Sequence, residues 1–185
     1  MELRSTKLLF LYKSFLFRKV FFTTKDKSLK KIVKGLNIKK RKKRIEYIYN
    51  EAIREINTYY FKDLCDFKNN QCIAQRLSGR SDINGCCIAG CPNFGDKGCI
   101  TINLTCKLIY CKSALGNIKR LKFRNIKILK LLSLRQRIIL KTDFFSSKEE
   151  IIKDLYYGLI IYGFRCLGKE FSLFKRRLRR KRSSE

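Results

Sequence analysis

Cys86, Cys87, Cys91, Cys99, Cys106 and Cys111 fall within 26 residues of a 185-residue chain that has nine cysteines and no histidine. Thiolates suit zinc and iron-sulfur iron, and without an imidazole the mixed cysteine-histidine zinc arrangements cannot form. The expected centre uses these six cysteines as its ligand pool and zinc as its metal, with an iron-sulfur cluster as the alternative. Gly85, Gly90, Gly95, Gly98 and the chain's only proline, Pro92, lie among the thiols. They supply the turns that bring sequence-distant sulfurs to one point.

The intervals between successive thiols are 1, 4, 8, 7 and 5, so the CxxC knuckle of most zinc ribbons does not occur. A buried or redox-active thiol cluster competes with the ligand reading. Disulfides are the weaker rival, because the cysteine count is odd and Met1 to Lys13 breaks its apolar run with charges, unlike a secretory signal.

The order Cys86-Cys87, Cys91-Pro92, Gly98-Cys99 and Cys106-Lys107-Leu108 ending at Cys111 resembles the cysteine cluster of the YkgJ-type family. Members of that family carry a Cys-Cys pair, then a Cys followed by a Gly-Cys, then a Cys-Arg/Lys-aromatic segment closing on another Cys, where this chain has Leu108 at the aromatic position. The resemblance covers residues 85 to 111 and implies a zinc- or iron-chelating role for the six thiols.

Little in the sequence points to catalysis, and no enzymatic activity or small-molecule substrate is expected. General acid-base work would fall to carboxylates or lysine, yet Glu51 with Glu55, Asp63 with Asp66, and Glu149 with Glu150 read as helix-surface or capping charges. The phosphate-cradling GxGxxG and GxxxxGK patterns do not occur.

The net charge is +29, from 44 Lys and Arg against 15 Asp and Glu. Heavy use of Lys, Ile, Asn, Phe and Tyr points to an AT-rich genome, for which a mobile element such as a plasmid is one home. Codon bias does not account for arginine, whose 17 copies alone outnumber the acids. The charge divides as +12 over residues 1–64, +2 over 65–111 and +15 over 112–185. A nearly neutral cysteine module thus sits between two flanks whose field attracts polyanions.

Nucleic acid, DNA or RNA, is the expected partner. The residues expected to grip phosphates are Lys39, Lys40, Arg41, Lys42, Lys43 and Arg44; Lys119, Arg120, Lys122 and Arg124; and, in the tail, Arg176, Arg177, Arg179, Arg180, Lys181 and Arg182. The functional expectation is a regulator of transcription or replication in the cytoplasm. A ribosomal or ribosome-associated RNA-binding protein is one alternative, and a metal-chelating or iron-sulfur protein is another.

These residues need elements to position them, and the pattern predicts a mainly α, single-domain fold with an irregular cysteine-rich module. Its parts are a basic helical region over 1–71, the module over 72–111, and a basic helical region with a tail over 112–185. Residues 3–22 read as a first helix packing Leu8, Leu11, Phe15 and Phe22 on the core, with a helix in peripheral membrane contact or a basic, acid-poor targeting peptide as the lesser readings. Lys39 to Arg44 reads as an extended, solvated arm.

Ile45, Ile48, Tyr49, Ala52, Ile53 and Ile56 recur at steps of three and four, predicting a helix over about 44–65. In the module, a short strand is expected over 100–104 and a helical turn over 106–111. Residues 118–140 fit a helix carrying Ile118, Leu121, Ile128, Leu132 and Ile139 on one face, the favoured reading, while Leu121-Lys122-Phe123-Arg124 and Lys127-Ile128 partly alternate as in a strand. Ser147 and Glu150 form a capping box for a helix that buries Ile151, Ile152, Leu155, Leu159 and Ile160 and stops near Gly163. A helix at 171–182 would follow and could pair with it as a helix-turn-helix. Cys166 reads as a small core residue.

Overall fold

The structure, a computed structural model, describes residues 26–60, 64, 68–69, 71–79, 103–108, 112–144 and 146–168, and the backbone at 94–95 and 98–99. The expected helices at 3–22 and 171–182 lie outside these residues. What is described is mainly helical, as the periodicity predicts.

Asp26 caps the first helix, α1 (Lys27–Asn37), by accepting a 2.7 Å hydrogen bond from the Ser28 amide. Leu29, Ile32 and Leu36 recur on one face of α1 and are buried against α2 (Arg41–Tyr59) and the segment that follows the cysteine module. Gly35 marks a close approach there. A Cβ at that position would stand 2.9 Å from Leu131 Cδ1 and 3.3 Å from the Tyr47 ring.

The central element is α2, 19 residues long. It buries Ile45, Ile48, Tyr49, Ala52, Ile53 and Ile56. Fully burying an isoleucine side chain is worth about 1.5–3 kcal/mol, so this stripe is the main reason the helix forms. It also explains where the helix begins. Arg41, Lys42, Lys43 and Arg44 form its first turn instead of an extended arm, because Ile45 and Ile48 are buried and helix formation propagates cooperatively into the preceding turn. The helix ends at Tyr59, short of the expected 65.

The cysteine-rich region enters through α3 (Ile73–Ser78) and leaves through two short helices, α4 (Leu104–Lys107) and α5 (Lys112–Leu115). Between them, β1 (Phe94–Gly95) pairs antiparallel with β2 (Gly98–Cys99), in the register Phe94 opposite Cys99 and Gly95 opposite Gly98. The ladder therefore lies ahead of the strand expected at 100–104, and residues 104–107 of that region are helical. The helical turn expected at 106–111 is met at Cys106 and Lys107, which close α4, while residues 109–111 lie outside the described residues.

Residues 118–140 are not one helix. Two 3₁₀ segments, Phe123–Asn125 and Lys127–Leu131, precede α6 (Leu134–Thr142). Ile126, Leu129 and Leu132 are buried at steps of three, which matches the three residues per turn of a 3₁₀ helix and not the 3.6 of an α-helix. Ile118, placed on the apolar face by the α-helical reading, is exposed.

Two capping boxes start the last helices. Ser133 and Gln136 begin α6, and Ser147 with Glu150 begins α7 (Lys148–Tyr157) as predicted, at 2.8 and 3.2 Å. The stop is Gly158, whose φ of 100° lies where a side chain would be strained, and not Gly163. Residues 159–168 continue as a separate helical run that includes Gly163. The break turns the chain, so Leu159 and Ile160 leave the buried stripe that Ile151, Ile152 and Leu155 form. Cys166 packs partly buried against the core, as expected.

Candidate nucleic-acid interface and cysteine module

The exit of the cysteine module is fixed by a set of buried polar bonds. Asn103 is fully buried, and its Nδ2 donates to the carbonyl oxygens of Asp143 at 3.0 Å and Ser146 at 3.1 Å. Its Oδ1 accepts from the Cys106 amide at 3.0 Å, capping α4. The Leu104 amide donates to the Tyr49 hydroxyl at 3.0 Å, and Thr105 Oγ1 donates to the Leu140 carbonyl. Burial raises the ionisation of the Tyr49 hydroxyl far above its ordinary range, so the bond from the Leu104 amide is made to a neutral hydroxyl. Cys106 is thereby held on a turn welded to α2 and α6.

Cys99 lies in β2. Cys86, Cys87, Cys91 and Cys111 lie outside the described residues, and among the described residues no three potential ligands gather as a metal site. The thiols themselves fit zinc or iron, and Cys106 has a rigid mount of the kind that a ligand needs. At the module's entrance, Cys72 is buried ahead of α3, and its amide donates to Gln75 Oε1 at 2.8 Å.

The basic residues occupy the outside of this frame. Lys39, Lys40, Arg41, Lys42 and Lys43 are exposed, and Arg44 is half-buried. They stand at the start of α2, which has no acid in its first turn and no side-chain cap, so the positive end of the helix dipole adds to their charge. Arg41 also lies over the Tyr156 ring at 5.4 Å. Lys119, Arg120, Lys122 and Arg124 are exposed at the other end of α2. There the Tyr59 hydroxyl donates to the Lys119 carbonyl at 2.9 Å, and the Tyr60 hydroxyl accepts from the Leu121 amide at 2.8 Å.

With a rise of about 1.5 Å per residue, α2 separates these two groups by roughly 27 Å. Lys27, Lys30 and Lys34 of α1 and Lys127 and Lys130 of the 3₁₀ segment are exposed beside it, with Lys127 Nζ 3.3 Å from Asp26. The expected tail contacts, Arg176, Arg177, Arg179, Arg180, Lys181 and Arg182, lie outside the described residues.

The acids go the other way. Of the acidic residues described, only Asp26, Glu46 and Glu149 are exposed. Glu51 is not the surface charge that its sequence position suggested. It is 5% exposed and paired with Lys31 at 3.0 Å and with Arg54. Burial alone would raise its carboxyl, but the bond and charge of Lys31, followed by those of Arg54, hold it below the usual range.

Sequence reasoning also missed a buried cluster around Arg165. Its guanidinium reaches Asp143 at 2.7 Å and also Asp154, donates to Ser146 Oγ at 2.8 Å, and lies 3.7 Å from Glu150. Burial raises the Asp143 carboxyl above its ordinary range despite bonds from Ser146 and Arg165. A single arginine within an apolar helical pattern was the available signal. No helix among the described residues is long and apolar enough to cross a membrane.

No protein-family model, curated protein or solved structure matches the chain.

Proposed function

We propose that the protein is a nucleic-acid-binding regulator, acting in transcription or replication control, that grips phosphates through the basic surface along α2. The observation that carries this reading is the segregation of charge. Cations at both ends of α2 and along α1 face solvent, while Glu51, Asp143 and Asp154 are buried in internal ion pairs. A surface whose neutralising acids are turned inward presents its field outward, and a polyphosphate is the complementary partner.

The six clustered cysteines make the module a zinc-binding element in this reading. Bound zinc would cross-link the loop between α3 and α4 and add folding energy to a region with few apolar residues. The rigid mounting of Cys106 supports that role, as does the resemblance of residues 85–111 to a chelating cysteine cluster.

The test is binding of the purified protein to duplex DNA and to structured RNA by fluorescence anisotropy across a salt series. Tight binding at low salt that weakens steeply with added salt is expected. A flat salt response, or no binding to either polymer, overturns the proposal.

A further inference from the structure

The helical run over 159–168 is inside out. Its only charged residue, Arg165, turns inward to Asp143 and Asp154, and Tyr162 is buried beside it. On the other side Ile160 is 76% exposed, Phe164 69% and Leu167 69%, with Ile161 half exposed. Positions 160, 164 and 167 follow the i, i+4, i+7 spacing of one helix face. Tyr157, 64% exposed, stands just ahead of the run. The chain therefore spends its one local cation on internal pairing and leaves an uncharged apolar face in water.

Three observations bear on what covers this face. Its size is small, because ten helical residues span only about 15 Å and a face about 10 Å wide over that length covers roughly 150 Å², well short of the roughly 800 Å² that each partner of a stable dimer contributes. A second copy would also bring a net charge of +29 against +29. Finally, in sequence the run leads directly to Lys169 and then to Lys175-Arg176-Arg177-Leu178-Arg179-Arg180-Lys181-Arg182. An apolar face beside a polybasic segment combines the two signals that hold a protein on an anionic bilayer, shallow side-chain insertion and attraction to acidic headgroups.

We infer that residues 159–168 form a docking surface for anionic lipid membranes, with Ile160, Phe164 and Leu167 entering the headgroup boundary and the net positive charge of the chain drawing this face to acidic lipid. The helix lies on the membrane and does not cross it. The apolar face is separate from the nucleic-acid reading, whose described basic residues lie on other elements, while the basic tail is common to both.

The full-length protein would be sedimented with vesicles of mixed phosphatidylcholine and phosphatidylglycerol, and with vesicles of phosphatidylcholine alone. Binding to the mixed vesicles is expected, with much weaker binding to the neutral ones. Replacing Ile160, Phe164 and Leu167 together by serine should weaken mixed-vesicle binding at least about tenfold, since the insertion of apolar area is lost. The same variant should keep its circular dichroism and its affinity for nucleic acid. Because the chain has no tryptophan, Phe164→Trp supplies a single indole, whose emission should shift to the blue on mixing with these vesicles.

Equal vesicle binding by the serine variant, no sedimentation with mixed vesicles, or an unmoved indole would each overturn the inference. So would a concentration-dependent dimer abolished by the serine variant without any vesicle binding, which would assign the face to a second copy.

Discussion

Arg165 Nη2 donates to Asp143 Oδ2 at 2.7 Å across 22 residues of chain, joining the last helical run to the turn between α6 and α7. Asp143 and Asp154 are both buried, so one guanidinium serves two carboxylates that water does not reach. A pair of this kind adds little over an apolar replacement of both partners, but removal of one partner is severe.

Arg165→Leu should therefore destabilise the fold by about 3–5 kcal/mol, a large share of a typical domain's 5–15 kcal/mol. Urea unfolding followed by circular dichroism reads this directly. Burial already raises the Asp143 carboxyl above its reference of 3.8, so this acid releases its proton less readily in the folded state than in the unfolded chain. Its contribution to stability is lost as pH rises through the window above that reference. Without Arg165 the window should widen, so the variant's deficit should be largest at neutral pH and shrink on acidification. A deficit independent of pH would mean that Arg165 acts through packing.

Glu51 has the opposite sign. Its folded carboxyl is held below the reference of 4.5, so its contribution is present above that value and is lost as pH falls through the folded one. Glu51→Gln should flatten the acid limb of the stability profile while costing stability at neutral pH, because the bonds from Lys31 and Arg54 lose their charge assistance. An unchanged acid limb would remove Glu51 from the acid response.

The start of α2 sets stability against binding. Lys42 is exposed in a first turn without acids, where the helix dipole disfavours cations. Lys42→Glu should stabilise the protein by about 0.3–1 kcal/mol. If Lys42 contacts one phosphate, the same change should reduce the slope of log affinity against log salt by about 0.9. Thermal melts and salt titrations on one sample check both signs. Weaker binding with lower stability would indicate a damaged fold instead.

The parts of the fold that were legible in the sequence are those fixed locally. The stripe from Ile45 to Ile56 and the Ser147-Glu150 box each carry their cause within a few residues, and a helix forms at each, with the α7 start where expected. Boundaries set by neighbours were harder to place. Gly158 and Gly163 look alike in sequence, but only Gly158 takes the positive φ that ends α7. The period of three at Ile126, Leu129 and Leu132 was overlooked because residues on either side also fit an α-helical face.

Buried charges were the least legible. Lys31 lies a helix away from Glu51, and Asp143 is 22 residues from Arg165, so neither pair has a local signature. For the candidate site, the exposure of Lys39 to Lys43 and of Lys119, Arg120, Lys122 and Arg124 follows from composition alone. Cys99 and Cys106 are placed on the hairpin and on α4, while Asn103, the anchor behind Cys106, looks in sequence like an ordinary cap.

The last prediction concerns the cysteine module. Protein purified without oxygen should carry stoichiometric zinc or iron held by four of Cys86, Cys87, Cys91, Cys99, Cys106 and Cys111, and less than that amount by mass spectrometry would rule out the ligand role. Chelation should speed amide exchange over residues 72–102 but leave α2 protected. The boundary should fall at Asn103, because the bonds to Asp143, Ser146 and Tyr49 hold residues 103–108 to the core without metal. Asn103→Ala removes the bonds to the Asp143 and Ser146 carbonyls and the cap on the Cys106 amide, at a cost of about 1–3 kcal/mol for each buried partner that water cannot reach. Exchange after chelation should then spread through α4. If it stops at the same boundary in this variant, Asn103 is not the anchor, and Cys106 owes its position to the burial of Leu104 and to the bonds that Leu104 and Thr105 make to Tyr49 and Leu140.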